Sequence, residues 1–192
     1  PLLRISLGDM YTGIHAVAAI NAALLGRVKS GQGQHIDMAL LDAQVAMLAN
    51  LGSNYLVSGK VPGRAGNAHQ NIEPYQVFEV MPPADAPPGG RDHLILAVGN
   101  DGQFAKFCAV AGQPDLAKDP RYALNTERVR HRDVLVPLLE GIMKTRTKAD
   151  WLAALEAAKV PCGAINNLAE VFSDPHVQAR GMVSSWEHPL AG

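Results

Sequence analysis

Asp9 is the residue best placed to do chemistry in this sequence. It stands in "SLGDMYTG", directly after Gly8 and before Met10 and Tyr11, with Gly13 one helical turn further on. A nucleophilic carboxylate must be reachable and fixed, and the backbone around it must let a bulky substrate come close. Glycines remove side chains from that path. A helix N-terminus favours negative charge and offers N–H groups to a developing oxyanion, here at Gly8 and at Met10–Tyr11. Removing one such donor typically costs roughly 3–4 kcal/mol. The plain alternative is that Asp9 only caps a helix, since aspartate is a preferred N-cap residue. The pattern alone leaves both readings open.

A second polar group, Arg64, Asn67, His69, Gln70 and Asn71, is gathered in the loop "GKVPGRAGNAHQNIEP". These side chains suit a carboxylate or carbonyl ligand, and solvated loop polarity is the alternative. Structured loops of this length are disproportionately functional. Other candidates fall away. The glycines of "GNDGQF" and "SGQGQH" form neither GxGxxG after a strand nor a phosphate-binding loop with Lys and Ser/Thr. His35, His69, His131 and His176 lack mutual ligand spacing, so no metal site is expected. His15, inside an apolar helix, reads as a core histidine, and Cys162 as a buried structural thiol.

The elements that must carry these residues follow from periodicity. Residues 9–29 read as a helix opened by Asp9. "IHAVAAINAALL" is apolar on nearly every face, so this helix is expected to be buried. Gly31 and Gly33 are candidates for positive φ at its end. A short strand over 35–38 and a second long helix over 40–57 are expected next, ended by Gly59 and Pro62. "YQVFEV" and "HLILAV" read as two strands joined by the Pro/Gly-rich tip "MPPADAPPGGRD". Helices follow over 102–111, capped by Asp101, and near 126–143 and 148–159. A strand at "CGAIN" and a short helix over 168–172 complete the pattern. It describes an α/β chain with two long helices first and a small α/β domain, built on a β-hairpin, packed after them. The expected division is 1–60 and 61–192.

Composition sets the outer limits. The chain has 192 residues, 47% hydrophobic and 18% charged, with a formal net charge of −1. That suits a globular protein with a sizeable core and gives no reason for steering towards nucleic acid or an anionic membrane. Two distant cysteines, Cys108 and Cys162, favour a reduced, cytoplasmic setting over a disulfide scaffold. The apolar run at 16–25 is too short to span a bilayer. The sequence starts at Pro1 and stops at "EHPLAG", where no element has obviously finished, so a piece of a longer protein is expected.

"LGDMYTGIHAVAAINAALLGRVKSGQGQHIDMALLDA" resembles the class III (formyl-CoA transferase-like) CoA-transferases. The shared features are the Gly-Asp element, the alanine-rich helix, Lys-Ser-Gly-x-Gly-Gln and Asp-x-x-x-x-Asp-Ala. "PGRAGNAHQNIEPYQVF", "LILAVGNDGQF" and "VPCGAINNLAEVFSDPHVQARGMV" continue the likeness in the same order over nearly the whole chain. The resemblance implies that Asp9 is a catalytic nucleophile carrying coenzyme A between two acids. It also implies a Rossmann-like large domain, with most coenzyme A contacts, in an N-terminal part outside this sequence. A C-terminal tail returning to that domain and an interlocked homodimer are implied as well. The substrates would be acyl-CoA thioesters and carboxylic acids, with no permanently bound cofactor; Arg64 and Asn67–Asn71, holding a distal carboxylate, would favour a dicarboxylate such as succinate or glutarate. Two departures stand out: His69-Gln70 replaces a frequent His-Pro, and the glycine-rich flap tied to oxalate is not recognisable. Two other expectations are kept. Acyl-CoA racemases resemble these proteins and use the matching aspartate as an acid/base, though they tend to show Asp-Phe before paired glycines where this chain has "DMYTG". A non-catalytic interaction protein would keep only the architecture.

Overall fold

The computed structural model describes residues 5–64, 66–187 and 190. The chain divides into two compact units, residues 1–64 and 65–192.

The first unit is helical. α1 (Leu7–Ser30) ends at Gly31, whose φ of 72° is left-handed, as its missing Cβ permits. Gly33 does not share that conformation, contrary to expectation. Residues 32–39 carry no strand: a lone extended segment has no partner for its backbone groups, so apolar alternation was not enough. The expected single helix over 40–57 is two, α2 (Leu40–Ala46) and α3 (Ala49–Ser58). The break falls where Ala49 takes a φ of 45°. Gly59 closes α3 in the left-handed region, as its position predicted.

α1 is not buried within this chain. Ile14, Val17, Leu24, Leu25 and Val28 are all exposed, and Ala43 of α2 is the buried hydrophobic residue of this unit among those described. His15 is likewise exposed. Its Nδ1 lies 3.0 Å from the Tyr11 carbonyl oxygen, and its ring lies 4.3 Å from the Tyr11 ring.

The second unit builds its own core. β1 (Tyr75–Val80) and β2 (Asp92–Ala97) form the expected hairpin, and β3 (Cys162–Ala164) adds antiparallel to β2, giving the order β1-β2-β3. Alternation sends Phe78, Val80, Leu94 and Leu96 to one face. Against them pack α4 (Asp101–Val110), α6 (Arg132–Met143) and α7 (Lys148–Ala157), through Phe104, Phe107, Leu135, Leu139, Trp151 and Leu155. The Trp151 indole N–H donates to the Met143 carbonyl at 2.8 Å, so the largest core side chain leaves no polar atom unmatched. A 3-10 helix (Pro114–Lys118) and α5 (Asn125–Arg130) link α4 to α6, and α8 (Leu168–Ser173) and α9 (Pro175–Ala179) follow β3. The helical stretch near 126–143 is broken at His131 into α5 and α6. The cap of α4 is Asn100, whose side chain accepts from Gln103 N–H at 2.9 Å, and not Asp101.

Asp101 is used differently, in a polar cluster that fastens the loop before β1. Arg128, fully buried, donates to Asp101 Oδ1 at 2.9 Å, to the Glu73 carbonyl at 2.6 Å and to the Tyr122 carbonyl at 2.9 Å. Its guanidinium also lies 4.4 Å from the centre of the Phe104 ring. Asn125 accepts from Glu73 N–H and donates to the Asn71 carbonyl. Arg132 donates to the carbonyls of His69 and Gln70 and stands 3.5 Å from the Glu73 carboxylate. Burial pushes the Glu73 carboxyl up to about 7, although Arg132 and Arg128 both pull it down.

Candidate active site

Asp9 lies in the first turn of α1, but it is not the cap. Ser6 occupies the N-cap position, and Asp9 is the third residue inside the helix. Ser6 makes no side-chain bond to the helix backbone; its hydroxyl donates instead to Asp9 Oδ2, at 2.5 Å. The Asp9 side chain is therefore exposed and held at one oxygen.

The neighbouring residues divide by what their atoms already do. A side chain at Gly13 would meet nothing within 4 Å, so the helix face one turn beyond Asp9 is open. Gly8 differs: a Cβ there would come within 3.0 Å of Gln44 Nε2, so this glycine admits the α2 side chain as well as exposing backbone. Met10 N–H donates to the Ser6 carbonyl at 3.2 Å, and Tyr11 N–H lies deep enough to find an acceptor inside the helix. Neither is a free oxyanion donor, which corrects the expectation from sequence. Gly8 N–H remains within the first turn, where a helix has no internal acceptor.

The loop residues divide between the two units. Arg64 ends the first unit and is exposed, whereas Asn67, His69, Gln70 and Asn71 belong to the second. Asn67 Oδ1 accepts from Val77 N–H at 3.0 Å, fixing the loop along β1. His69 stacks on Tyr75 with ring centres 5.3 Å apart, and its Nδ1 accepts from Asn71 N–H at 3.1 Å. Much of this polar group thus shapes the loop itself.

Cys162 is only partly buried. Burial raises its thiol, with Glu156 adding to the effect, so it lacks the thiolate character of a nucleophile. Cys108 is buried and pushed up to about 11 for the same first reason. Among the described residues, no three His, Cys, Asp or Glu side chains gather as a metal site, and no helix is long and apolar enough to cross a membrane.

Ser6 was missed at the sequence level. A signal was present in the Ser-x-x-Asp spacing of a capping box, although here the hydroxyl meets the carboxylate and not the helix backbone.

Known proteins place this chain in a family. Residues 2–192 match the description of CoA-transferase family III. A succinate–glutarate CoA-transferase of Agrobacterium fabrum is 49% identical over 178 residues, covering 93% of this chain and 42% of that protein. The human succinyl-CoA:glutarate CoA-transferase is 35% identical over 188 residues, covering 98% and 41%. A crystal structure of a CaiB/BaiF family protein from Brucella suis superposes with a TM-score of 0.71 at 46% identity, over 95% of this chain and 46% of that one. The chain spans less than half the length of these relatives. With one family matched from end to end, on an α/β fold shared with its solved members, the chain belongs to CoA-transferase family III.

Proposed function

We propose that the protein carrying this chain moves coenzyme A from an acyl-CoA donor to a free carboxylic acid, with Asp9 as the covalent carrier. The observation that carries this reading is one exposed carboxylate in the first turn of α1, with an open helix face beside it, in a chain of this family. Asp9 attacks the thioester carbonyl of the donor, expelling CoA thiolate and leaving an acyl–aspartyl anhydride. The thiolate then attacks the Asp9 carbonyl, releasing the donor acid and leaving an aspartyl-CoA thioester. An incoming carboxylate runs the steps in reverse. Anhydride and thioester are comparably activated, so neither ATP nor a resident cofactor is required. Gly8 N–H supports an oxyanion at the helix terminus.

The names of the relatives from Agrobacterium and human pair succinate or succinyl-CoA with glutarate, which supports a dicarboxylate acceptor. Arg64, Asn67, His69, Gln70 and Asn71 supply side chains suited to its distal carboxylate. On the same reading, residues 1–60 are part of the large domain and 61–192 are the linker loop and small domain. The whole protein is an interlocked, cytoplasmic homodimer, and this chain alone is inactive because most coenzyme A contacts lie outside it.

The test uses the whole protein with succinyl-CoA or glutaryl-CoA and hydroxylamine. A hydroxamate at Asp9, read by mass spectrometry, is expected, and Asp9→Ala is expected to lower transfer roughly 10⁴-fold or more. Near-normal transfer in that variant overturns the proposal. Exchange of the α-hydrogen with deuterated water in the absence of acceptor acid points to racemisation instead.

A further inference from the structure

We infer that Ser6 is a working part of the transfer site: its hydroxyl holds one oxygen of Asp9 and stays on that oxygen as the oxyanion donor when CoA thiolate attacks the aspartyl carbonyl. This rests on the reading of Asp9 as the covalent carrier.

The geometry is unusual for a serine in this position. An N-cap serine ordinarily accepts a hydrogen bond from a backbone N–H in the first turn, which is why the residue is favoured there. Ser6 makes no such bond, and its φ and ψ of −77° and 84° lie outside the extended region usual for a cap. Its hydroxyl instead donates to Asp9 Oδ2 at 2.5 Å, a separation typical of O–H donation to a charged carboxylate. No second hydrogen bond or ion pair holds Asp9 from the side-chain side among the described residues, and the carboxylate is exposed. One oxygen is therefore tethered and the other is left for attack.

The chemistry assigns each oxygen a fate. Oδ1 adds to the thioester carbonyl, and CoA leaves as thiolate, giving the anhydride joined through Oδ1. The thiolate sulfur then bonds to Asp9 Cγ, and the electron pair of the Cγ–Oδ2 double bond moves onto Oδ2. The resulting oxyanion sits under a hydroxyl already aimed at it. Collapse restores the double bond and breaks Cγ–Oδ1, so the donor acid departs as its carboxylate carrying Oδ1. No proton or redox partner is needed. The contribution of Ser6 is largest in this step and in its reversal, when the acceptor carboxylate attacks the aspartyl thioester, because there full charge develops on Oδ2.

The experiment compares wild type, Ser6→Ala and Ser6→Thr in the whole protein. The aspartyl–CoA adduct is followed by quench and mass spectrometry after mixing with succinyl-CoA, alongside steady-state transfer to glutarate. Ser6→Ala is expected to slow adduct formation and kcat by about 10²–10³-fold, with KM for the thioester changed less than threefold. Ser6→Thr, which keeps the hydroxyl, is expected to recover most of the rate. The thermal midpoint should not move in either variant, since the hydroxyl makes no bond to the helix backbone. Adduct formation in Ser6→Ala within twofold of wild type overturns the inference while leaving Asp9 as the carrier. A wild-type protein that forms no adduct at Asp9 removes the underlying reading, and the inference with it.

Discussion

The two units of this chain treat their apolar residues in opposite ways. The second unit encloses Phe78, Leu94, Leu96, Phe107, Leu139 and Trp151 almost completely. The first leaves Ile14, Val17, Leu25 and Val28 of α1 at least 60% exposed. The hydropathy of the two segments does not differ in that sense. What differs is whether each face finds cover among the described residues: that of the second unit does, and that of α1 does not. An all-round apolar helix states a requirement for burial; it does not say from where the covering residues come.

That contrast can be broken most decisively in the core. Trp151→Ala should destabilise the second unit by about 3–5 kcal/mol, because it removes a fully buried ring and strands the Met143 carbonyl. Chemical denaturation followed by far-UV circular dichroism checks this; a loss below about 1 kcal/mol would mean that the core is not shared as described.

A smaller effect belongs to Glu73. Its folded-state pKa, raised from 4.5 to about 7, means the folded unit takes up a proton more readily than the unfolded chain. The sign follows from linkage: this contribution is most favourable below about pH 4.5 and is lost as pH rises through 7. Glu73→Gln should therefore flatten the stability–pH curve between those limits. It should leave the variant more stable than wild type at pH 8, by on the order of 2 kcal/mol once screening beside Arg132 is allowed for. Denaturant midpoints at pH 5 and 8 for both proteins measure it. A wild-type curve that rises across this range would contradict the assignment.

The smallest change is expected at Val28, 83% exposed on α1. Val28→Ser in this chain alone should shift stability by no more than about 0.5 kcal/mol. The same substitution in the whole protein sharpens the comparison: a loss well above that value shows the face covered there, and an equal, negligible change shows it bare.

The difference between the units also explains what could be read in advance. The hairpin, α7 and α8 were legible because the periodic pattern, turn residues and caps that specify them lie close in sequence. The strand expected over 35–38 failed because pairing depends on a neighbour that alternation cannot supply, and the break between α2 and α3 arises at Ala49, a residue with no breaker signature. At the site, the Gly-Asp element singled out Asp9, yet its rank within the helix was off. The Ser6 hydroxyl takes up Oδ2, so the carboxylate is the guest of the cap and not the cap itself. Arg128 and Glu73 were invisible as a cluster, since Arg128 reaches the Glu73 carbonyl across 55 positions of sequence.

The fastening of residues 69–73 by Asn125, Arg128 and Arg132 has a corollary for binding. Those anchors lie 52 to 63 residues further along the chain, so the shape of the loop depends on α5 and α6 being in place. Once docked, it is a stiff rim with its conformational freedom already surrendered during folding. Any molecule that meets it encounters a surface fixed beforehand, not one that must be moulded on contact.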